Sequence, residues 1–151
     1  MYRSEDREKT AGMNQITTQV ESCANCGLSE TRTKVVLGAG TLDAKIVLVG
    51  EAPGRKEDES GLPFVGSSGK LLDRLLAAAG LSRDDIFIGN IIKCRPPKNR
   101  RPKKSEVGQC EGYMMEQLEI INPAIVAPMG NSSLSYFQER RSEEHTSELQ
   151  S

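Results

Sequence analysis

The chain has 151 residues, of which 36% are hydrophobic and 27% are charged, and its formal net charge is −1. A chain of this length supports one compact domain. No apolar run approaches the ~20 residues that a membrane-spanning helix needs, and the charged N-terminus lacks the pattern of a signal peptide. We therefore expect a cytoplasmic protein with no membrane contact.

The predicted elements alternate between strands and helices. Residues up to about Thr18 are expected to be disordered or loosely helical. A buried strand is predicted over 45–50, where β-branched residues and leucine precede a glycine. A helix is predicted over 68–79 and ends at Gly80. Its apolar face is expected to contain Leu71, Leu72, Leu75, Leu76 and Ala79.

The second half of the chain repeats the alternation. A strand is predicted over 86–90, and Ser105 is expected to cap a helix that Asn122-Pro123 ends. A third strand over 124–129 precedes a helix from Asn131. The stripe expected on the buried face of the middle helix comprises Val107, Cys110, Met114, Leu118 and Ile121. This order predicts a three-layer α/β/α fold with a central parallel sheet covered on both faces.

The loop after the first strand is the strongest candidate for an active site. Residues 50–70 read GEAPGRKEDESGLPFVGSSGK and contain five glycines, two prolines and four acids. Ligand sites of open α/β folds lie where such loops leave the carboxyl ends of the strands. The final GSSGK is not a P-loop, because that motif requires glycine where Phe64 stands.

A second loop, residues 93–104, is strongly basic. It contains seven cations, three prolines and no acid. The cations are Lys93, Arg95, Lys98, Arg100, Arg101, Lys103 and Lys104. One interpretation is an ordinary solvated loop; the other is an extended surface that follows a phosphate backbone.

The four cysteines are Cys23, Cys26, Cys94 and Cys110. Disulfides are not expected in a cytoplasmic chain. A C-x2-C pair and two distant cysteines can form a four-thiolate site, and both zinc and an iron–sulfur cluster accept that ligand set. The alternative is that Cys94 and Cys110 are ordinary buried thiols.

Polar residues follow two predicted strands, as Gly50-Glu51 and Gly89-Asn90. Because parallel strands end at the same edge of a sheet, Glu51 and Asn90 are expected in one pocket. The Asn90 amide has an acceptor beside a donor, which suits a pyrimidine edge, although it could instead satisfy its own turn. Phe64 could stack on a flat ring or anchor its loop in the core.

Together these segments resemble the iron–sulfur, family four, uracil-DNA glycosylases. The resemblance rests on GEAPGRKEDESGLPFVGSSGKLLD, on GNIIKCRPPKNRRP and on the four cysteines, and a partial domain of this type is expected over 19–140. It implies a monomeric base excision repair enzyme, associated with the nucleoid. Its substrate would be uracil-containing DNA, from which it flips deoxyuridine and hydrolyses the N-glycosidic bond. The cysteines would then hold a [4Fe–4S] cluster, with zinc as the alternative.

The same resemblance assigns roles to single residues. Phe64 would stack on uracil and Asn90 would read its amide edge, with Gly50 and Ala52 lining the pocket. The superfamily often has an aspartate where Ala52 stands, so the acid is either Glu51 or Glu57. The expected DNA contacts are the start of the helix at Ser67 and Ser68, and the basic residues Arg95, Lys98, Arg100 and Arg101.

The C-terminal segment 141–151 differs in character from the rest. RSEEHTSELQS can be back-translated into a sequence that resembles a short-read sequencing adapter, and it contains the only histidine, His145. We therefore expect it to be a read-through artefact. The histidine motif of the family has no counterpart before it, so impaired catalysis is expected. A second hypothesis is a non-catalytic nucleic-acid-binding module with a structural four-cysteine metal site.

Overall fold

The structure is a computed structural model that describes residues 4–150, with side chains described for residues 4–140. The strands are β1 (Ala39–Gly40), β2 (Ile46–Gly50), β3 (Phe87–Asn90) and β4 (Ile125–Pro128). The helices are α1 (Ser4–Glu21), α2 (Arg55–Ser60), α3 (Ser67–Ala78), α4 (Lys104–Ile121) and α5 (Asn131–Gln150). Short 3-10 turns occupy Gly27–Glu30, Arg83–Asp85 and Pro97–Asn99.

The four strands form one sheet in the order β1-β3-β2-β4. The three longer strands are parallel, as predicted, and their carboxyl ends therefore meet at one edge. The two-residue strand β1 pairs antiparallel with β3. It was not predicted, because two residues carry no periodic hydrophobic signal.

Helices cover both faces of the sheet, which confirms the three-layer α/β/α prediction. Alternate residues of β2 face opposite sides: Val47 and Val49 belong to a cluster with Met114 of α4, while Leu48 packs with Leu72 and Leu76 of α3. Side chains of α1 and α5 also pack against the first cluster, through Met13, Tyr136 and Phe137. The sheet is therefore fixed between two apolar layers.

Of the two alternatives predicted for residues up to Thr18, the structure has the helical one. Helix α1 is regular from Ser4, buries Ile16 and Val20, and contacts α4. Its hydrophobic pattern is weak because few of its positions are apolar, so the sequence alone gave little sign of packing. This segment is thus part of the domain.

Two details of the predicted helices were wrong. Of the residues predicted on the apolar face of α3, only Leu72 and Leu76 are buried. Leu71 and Leu75 are more than half exposed and Ala79 is exposed too, because the contact stripe is narrower than the leucine run. Helix α4 begins at Lys104, and Lys103 rather than Ser105 precedes it as the cap position. The Glu106 carboxylate accepts a hydrogen bond from the Lys103 amide and so stabilises this earlier start.

The predicted adapter-derived segment, 141–151, lies outside the residues whose side chains are described, as does His145. Within the described chain, no helix combines the length and apolar character that crossing a bilayer requires.

Candidate functional site

A cavity of about 370 Å3 opens at the carboxyl edge of the sheet. Gly50 of β2 lies beside Asn90 of β3 in the strand register, so the loops that follow these strands border the same space. The residues lining it are Gly50, Glu51, Ala52, Pro53, Gly54, Glu57, Phe64, Ser68, Asn90, Pro96, Asn99, Arg100 and Met129. The structure thus brings together the two strand ends and the acidic loop, as the sequence predicted.

Gly50 allows an aromatic ring and an amide to meet in this cavity. A Cβ atom at Gly50 would lie 2.7 Å from Cζ of Phe64 and 2.6 Å from Oδ1 of Asn90. Because real Cβ atoms do not approach other atoms so closely, only glycine permits this convergence. Asn90 is 3% exposed and Phe64 is half-buried. The cavity therefore has a flat apolar wall next to a hydrogen-bonding group, an arrangement suited to a planar polar ring.

The two candidate acids have different surroundings. Both carboxylate oxygens of Glu57 accept backbone hydrogen bonds: Oε1 from the Gly54 amide at 3.0 Å, and Oε2 from the Val65 and Gly66 amides at 2.9 Å. Glu51 has a side chain that is 31% exposed and lies 3.7 Å from the guanidinium of Arg101. Glu57 is thus committed to the loop backbone, whereas Glu51 keeps oxygen lone pairs for other partners.

Ala52 lies between the cavity and the cysteines. It lines the cavity and also packs against the apolar cluster that contains Cys94 and Cys110. The backbone here is fixed, because the amides of Ile91 and Ile92 donate hydrogen bonds to the carbonyls of Gly50 and Glu51 at 3.0 Å. The pocket and the cysteine cluster therefore share one rigid wall.

The basic loop borders the cavity, but its cations are not equivalent. Arg100 donates hydrogen bonds from both terminal nitrogens to the Glu106 carboxylate, at 2.8 and 2.9 Å. These bonds hold the pKa of Glu106 at about 2, well below its ordinary value. Arg95 donates to the Asn99 side chain at 2.8 Å, while Lys98 and Arg101 are exposed. Exposed positive charge is therefore displayed by Lys98, Arg101, Lys103 and Lys104, of which Arg101 lies 3.7 Å from Glu51.

The start of α3 contributes one of the two predicted serines to the cavity. Both serines are exposed; Ser68 lines the cavity and Ser67 does not. Gly66 precedes the helix in an extended conformation. The first amides of a twelve-residue helix therefore lie at the rim of the cavity, where a helix dipole favours negative charge.

All four cysteines are free thiols, and all four line one narrow cavity of about 10 Å3. As they stand, no group of three or more His, Cys, Asp or Glu side chains within the described residues is placed to hold a metal ion. The donor set nevertheless fits a thiolate-bound group, because four thiols from three separate segments converge on one space. The structure thus brings the predicted ligands together.

Two hydrogen-bond donors already point at the thiols. Arg32 donates from Nη1 to Sγ of Cys94 at 3.0 Å, and the Lys93 amide donates to Sγ of Cys110 at 3.3 Å. Burial raises the pKa of Cys94, and it raises the pKa of Cys110 to about 11. Bound metal would reverse that effect, since ligating thiols are deprotonated.

The contributors to the region that were not predicted include a buried lysine and two residues of the cavity wall. Lys93 was counted with the exposed cations, but it is fully buried and donates from Nζ to the Asn90 carbonyl at 2.9 Å. Asn99 and Met129 line the cavity although they lie far apart along the chain. Of these residues, only Lys93 has a sequence signal for its position: it directly follows the apolar pair Ile91-Ile92, which indicates burial.

Comparison with known proteins gives one family match. The profile of the uracil DNA glycosylase superfamily matches residues 37–149. This range includes both loops of the cavity and all four strands of the sheet.

Individual relatives agree with that match. The chain is 46% identical to a type-4 uracil-DNA glycosylase of Thermotoga maritima over 125 residues. This matched stretch covers 83% of the present chain and 65% of the relative. Identity is 46% over 124 residues to the type-4 enzyme of Archaeoglobus fulgidus, covering 82% and 62%. It is 43% over 136 residues to that of Sulfurisphaera tokodaii, covering 89% and 62%. The chain thus spans somewhat less than two thirds of the length of these relatives.

Proposed function

Because the chain belongs to the uracil DNA glycosylase superfamily, we propose that it removes uracil from DNA by hydrolysing the N-glycosidic bond of deoxyuridine. One observation carries the proposal: Phe64 and Asn90 converge at Gly50 in a cavity of about 370 Å3. The cavity provides a stacking surface and an amide next to each other, as a flipped pyrimidine requires.

Recognition of the base is assigned to Phe64 and Asn90. The ring of Phe64 stacks on uracil, and the side-chain amide of Asn90 pairs with the edge that carries a carbonyl and an N–H. Asn90 is buried, so a base that leaves its amide unpaired incurs a desolvation cost. A methyl group at C5 of the base would have to share the space next to the Phe64 ring, which favours uracil over thymine.

Among the acids, we assign the catalytic role to Glu51. Cleavage of the glycosidic bond develops positive charge on the sugar, which a nearby carboxylate stabilises while it orients the attacking water. Glu51 lies in the cavity with oxygen lone pairs available, whereas Glu57 has both oxygens occupied by backbone amides. Glu57 instead stabilises the conformation of the loop after β2 through these backbone hydrogen bonds. Ala52 supplies no acid and serves as part of the wall.

The DNA backbone is bound on both sides of the cavity. Lys98 and Arg101 present exposed charge of the basic loop, together with Lys103 and Lys104 near the start of α4, while the guanidinium of Arg95 is held by Asn99. Arg100 supports the loop through Glu106 instead of presenting a free charge. The amides and hydroxyls of Ser67 and Ser68 at the start of α3 form the second phosphate contact.

The four cysteines would hold a [4Fe–4S] cluster or, as the alternative, a zinc ion bound by the same four thiolates. When bound, the group supplies metal–thiolate bonds that join the segment after α1, the end of the β3 loop and α4. Arg32 and the Lys93 amide stabilise two of the thiolates through the hydrogen bonds described above. The role is structural, since the wall that includes Ala52 separates the cysteines from the cavity.

The function is tested by incubating the protein with single-stranded DNA that contains one deoxyuridine. Hot alkali then breaks the strand at any abasic site. We expect breaks at uracil, at a low rate because the only histidine of the sequence is His145, and none in the matched thymidine strand, with loss of the signal in Asn90→Ala. Absence of uracil-dependent breaks, together with equal binding of the two strands, would overturn the proposal. A non-catalytic metal-containing module predicts that second result, and the family match does not favour it.

A further inference from the structure

The backbone at Phe64 adopts a conformation that phenylalanine rarely has. Its φ angle is 51°, in the left-handed region that favours glycine. A bulky residue persists there only when its surroundings hold it. The structure shows two side chains that do so, Arg83 and Glu57, through hydrogen bonds to the backbone around Phe64.

Arg83 holds the carbonyl side of this peptide. It precedes β3 in the 3-10 turn Arg83–Asp85, and its guanidinium reaches back nineteen residues along the chain to the carbonyl of Phe64. The same guanidinium donates to the Pro63 carbonyl at 3.1 Å and to the Gly69 carbonyl at 3.2 Å. The backbone around Phe64 is called the bend. Three of its carbonyls are thus bound by one planar group with fixed donor geometry.

The guanidinium is itself oriented by a carboxylate. Nε of Arg83 donates to Asp73 of α3 at 2.5 Å, which leaves the two terminal nitrogens directed at the carbonyls. The side chain of Arg83 is 33% exposed, so it lies against the loop instead of extending into solvent. The pair ties α3, the Phe64 loop and the start of β3 together.

Glu57 holds the amide side of the same bend. Its Oε2 accepts from the Val65 and Gly66 amides, the two that follow Phe64. Gly69 permits the tight packing, because a Cβ atom there would lie 1.8 Å from the Phe64 carbonyl oxygen. The bend is therefore fixed by a cation on its carbonyls and by an anion on its amides.

We propose that Arg83 is a positioning residue for uracil recognition, which holds the Phe64 ring in its stacking position by clamping the carbonyls of the bend. The inference rests on the proposed function, because it specifies how the recognition surface is kept in place. Arg83 itself touches neither the base nor the reacting atoms. Its loss frees the bend to relax to negative φ and moves the ring away from Gly50.

The test is a double-mutant cycle on base discrimination. The readout is the ratio of dissociation constants for two DNA strands, one containing thymidine and the other 2′-fluoro-2′-deoxyuridine, whose fluorine slows glycosidic cleavage. The variants are Arg83→Ala, Phe64→Ala and the two combined. Arg74→Ala is the matched control, because it removes an exposed arginine from α3, at a position that lines no part of the cavity.

We expect Arg83→Ala to lower the discrimination ratio at least about fivefold, with Arg74→Ala equal to the wild type. The combined variant is expected to match Phe64→Ala alone, because Arg83 acts through the ring. Arg83→Lys, which keeps charge but not the planar fork, is expected to fall between Arg83→Ala and the wild type. Amide hydrogen exchange at Val65 and Gly66 is expected to accelerate in Arg83→Ala without DNA.

Two results would overturn the inference. One is an unchanged ratio in Arg83→Ala; the other is multiplication of the two single effects in the combined variant. If the wild type itself binds both strands equally, the proposed function fails as well, so the two failures are distinguishable. If Arg83→Ala does not fold, Arg83→Lys serves as the test. A wild-type ratio of dissociation constants together with wild-type amide exchange in Arg83→Lys would contradict the proposed role of Arg83.

Discussion

The ring of Phe64 lies in space that a side chain at Gly50 would need. A Cβ atom there would lie 2.7 Å from Cζ of the ring. The same missing atom leaves room for Oδ1 of Asn90, which would lie 2.6 Å from such a Cβ. The shape of the recognition pocket is therefore encoded by a glycine at the last position of β2.

This relationship predicts the effect of Gly50→Ala. The added methyl must displace the ring or the amide, so binding of uracil-containing DNA should weaken roughly tenfold or more, a cost of over about 1.4 kcal/mol. The ratio of dissociation constants for the deoxyuridine-analogue and thymidine strands measures it. Gly108→Ala is the control: nothing lies within 4 Å of its added Cβ, and alanine should stabilise α4 by about 0.5–1 kcal/mol without changing the ratio.

The assignment of the acids predicts opposite phenotypes for two conservative variants. Glu51→Gln should slow uracil release by a factor of about 10²–10⁴ while leaving DNA affinity nearly unchanged, because it removes a charge that acts in the transition state. Glu57→Gln should instead weaken binding and lower the melting temperature, since an amide cannot accept all three backbone hydrogen bonds equally well. Single-turnover excision and fluorescence anisotropy separate the two effects. If Glu57→Gln slows excision while Glu51→Gln weakens binding and lowers the melting temperature, Glu57 is the catalytic acid.

The cysteine site predicts the metal content. Protein purified without oxygen should contain iron and acid-labile sulfide in equal amounts and absorb broadly in the visible range, and Cys94→Ser should lose most of both. Ser29→Ala is the control, because Ser29 lines the same cavity without providing a thiol. One zinc ion per chain, without iron or sulfide, would show that the cysteines form a structural zinc site instead of a cluster site.

The Arg100–Glu106 pair predicts a pH dependence of stability. The pKa of Glu106 is about 2 in the folded chain, below its value of 4.5 in an unfolded one. Its contribution is therefore complete above about pH 4.5 and is lost as the pH falls toward 2. Glu106→Gln should lower the melting temperature at pH 7 by a few degrees, on the order of 3 °C. The difference in melting temperature between Glu106→Gln and the wild type should be smaller at pH 3. An equal difference at pH 7 and pH 3 would show that the charge of Glu106 is not its cause.

The sequence predicted the site well where local patterns and sheet topology decide the geometry. Strand ends after apolar runs placed Gly50, Glu51 and Asn90 at one edge, and the C-x2-C spacing with Cys110 on a buried helix face predicted the thiol cluster. Both signals depend on periodicity and chain direction, which a sequence displays directly.

The remainder depends on tertiary contacts that have no local signal. Lys93 looks like one more cation of a basic run, yet its ammonium is buried beneath Asn90. Arg83 lies in an ordinary polar turn, and its role emerges only when the chain folds back on the Phe64 loop. Arg100 was expected to face DNA, but Glu106 of the following helix takes its guanidinium. Which of several like charges is free cannot be predicted without the fold.

The most direct test of the account is the affinity of the wild-type protein for two single strands that differ at one position. One contains 2′-fluoro-2′-deoxyuridine and the other thymidine. Fluorescence anisotropy at one salt concentration keeps the phosphate contribution constant. We expect at least about tenfold tighter binding of the uracil strand, corresponding to about 1.4 kcal/mol, and loss of that preference in Phe64→Ala. Equal affinity for the two strands in the wild type would contradict it.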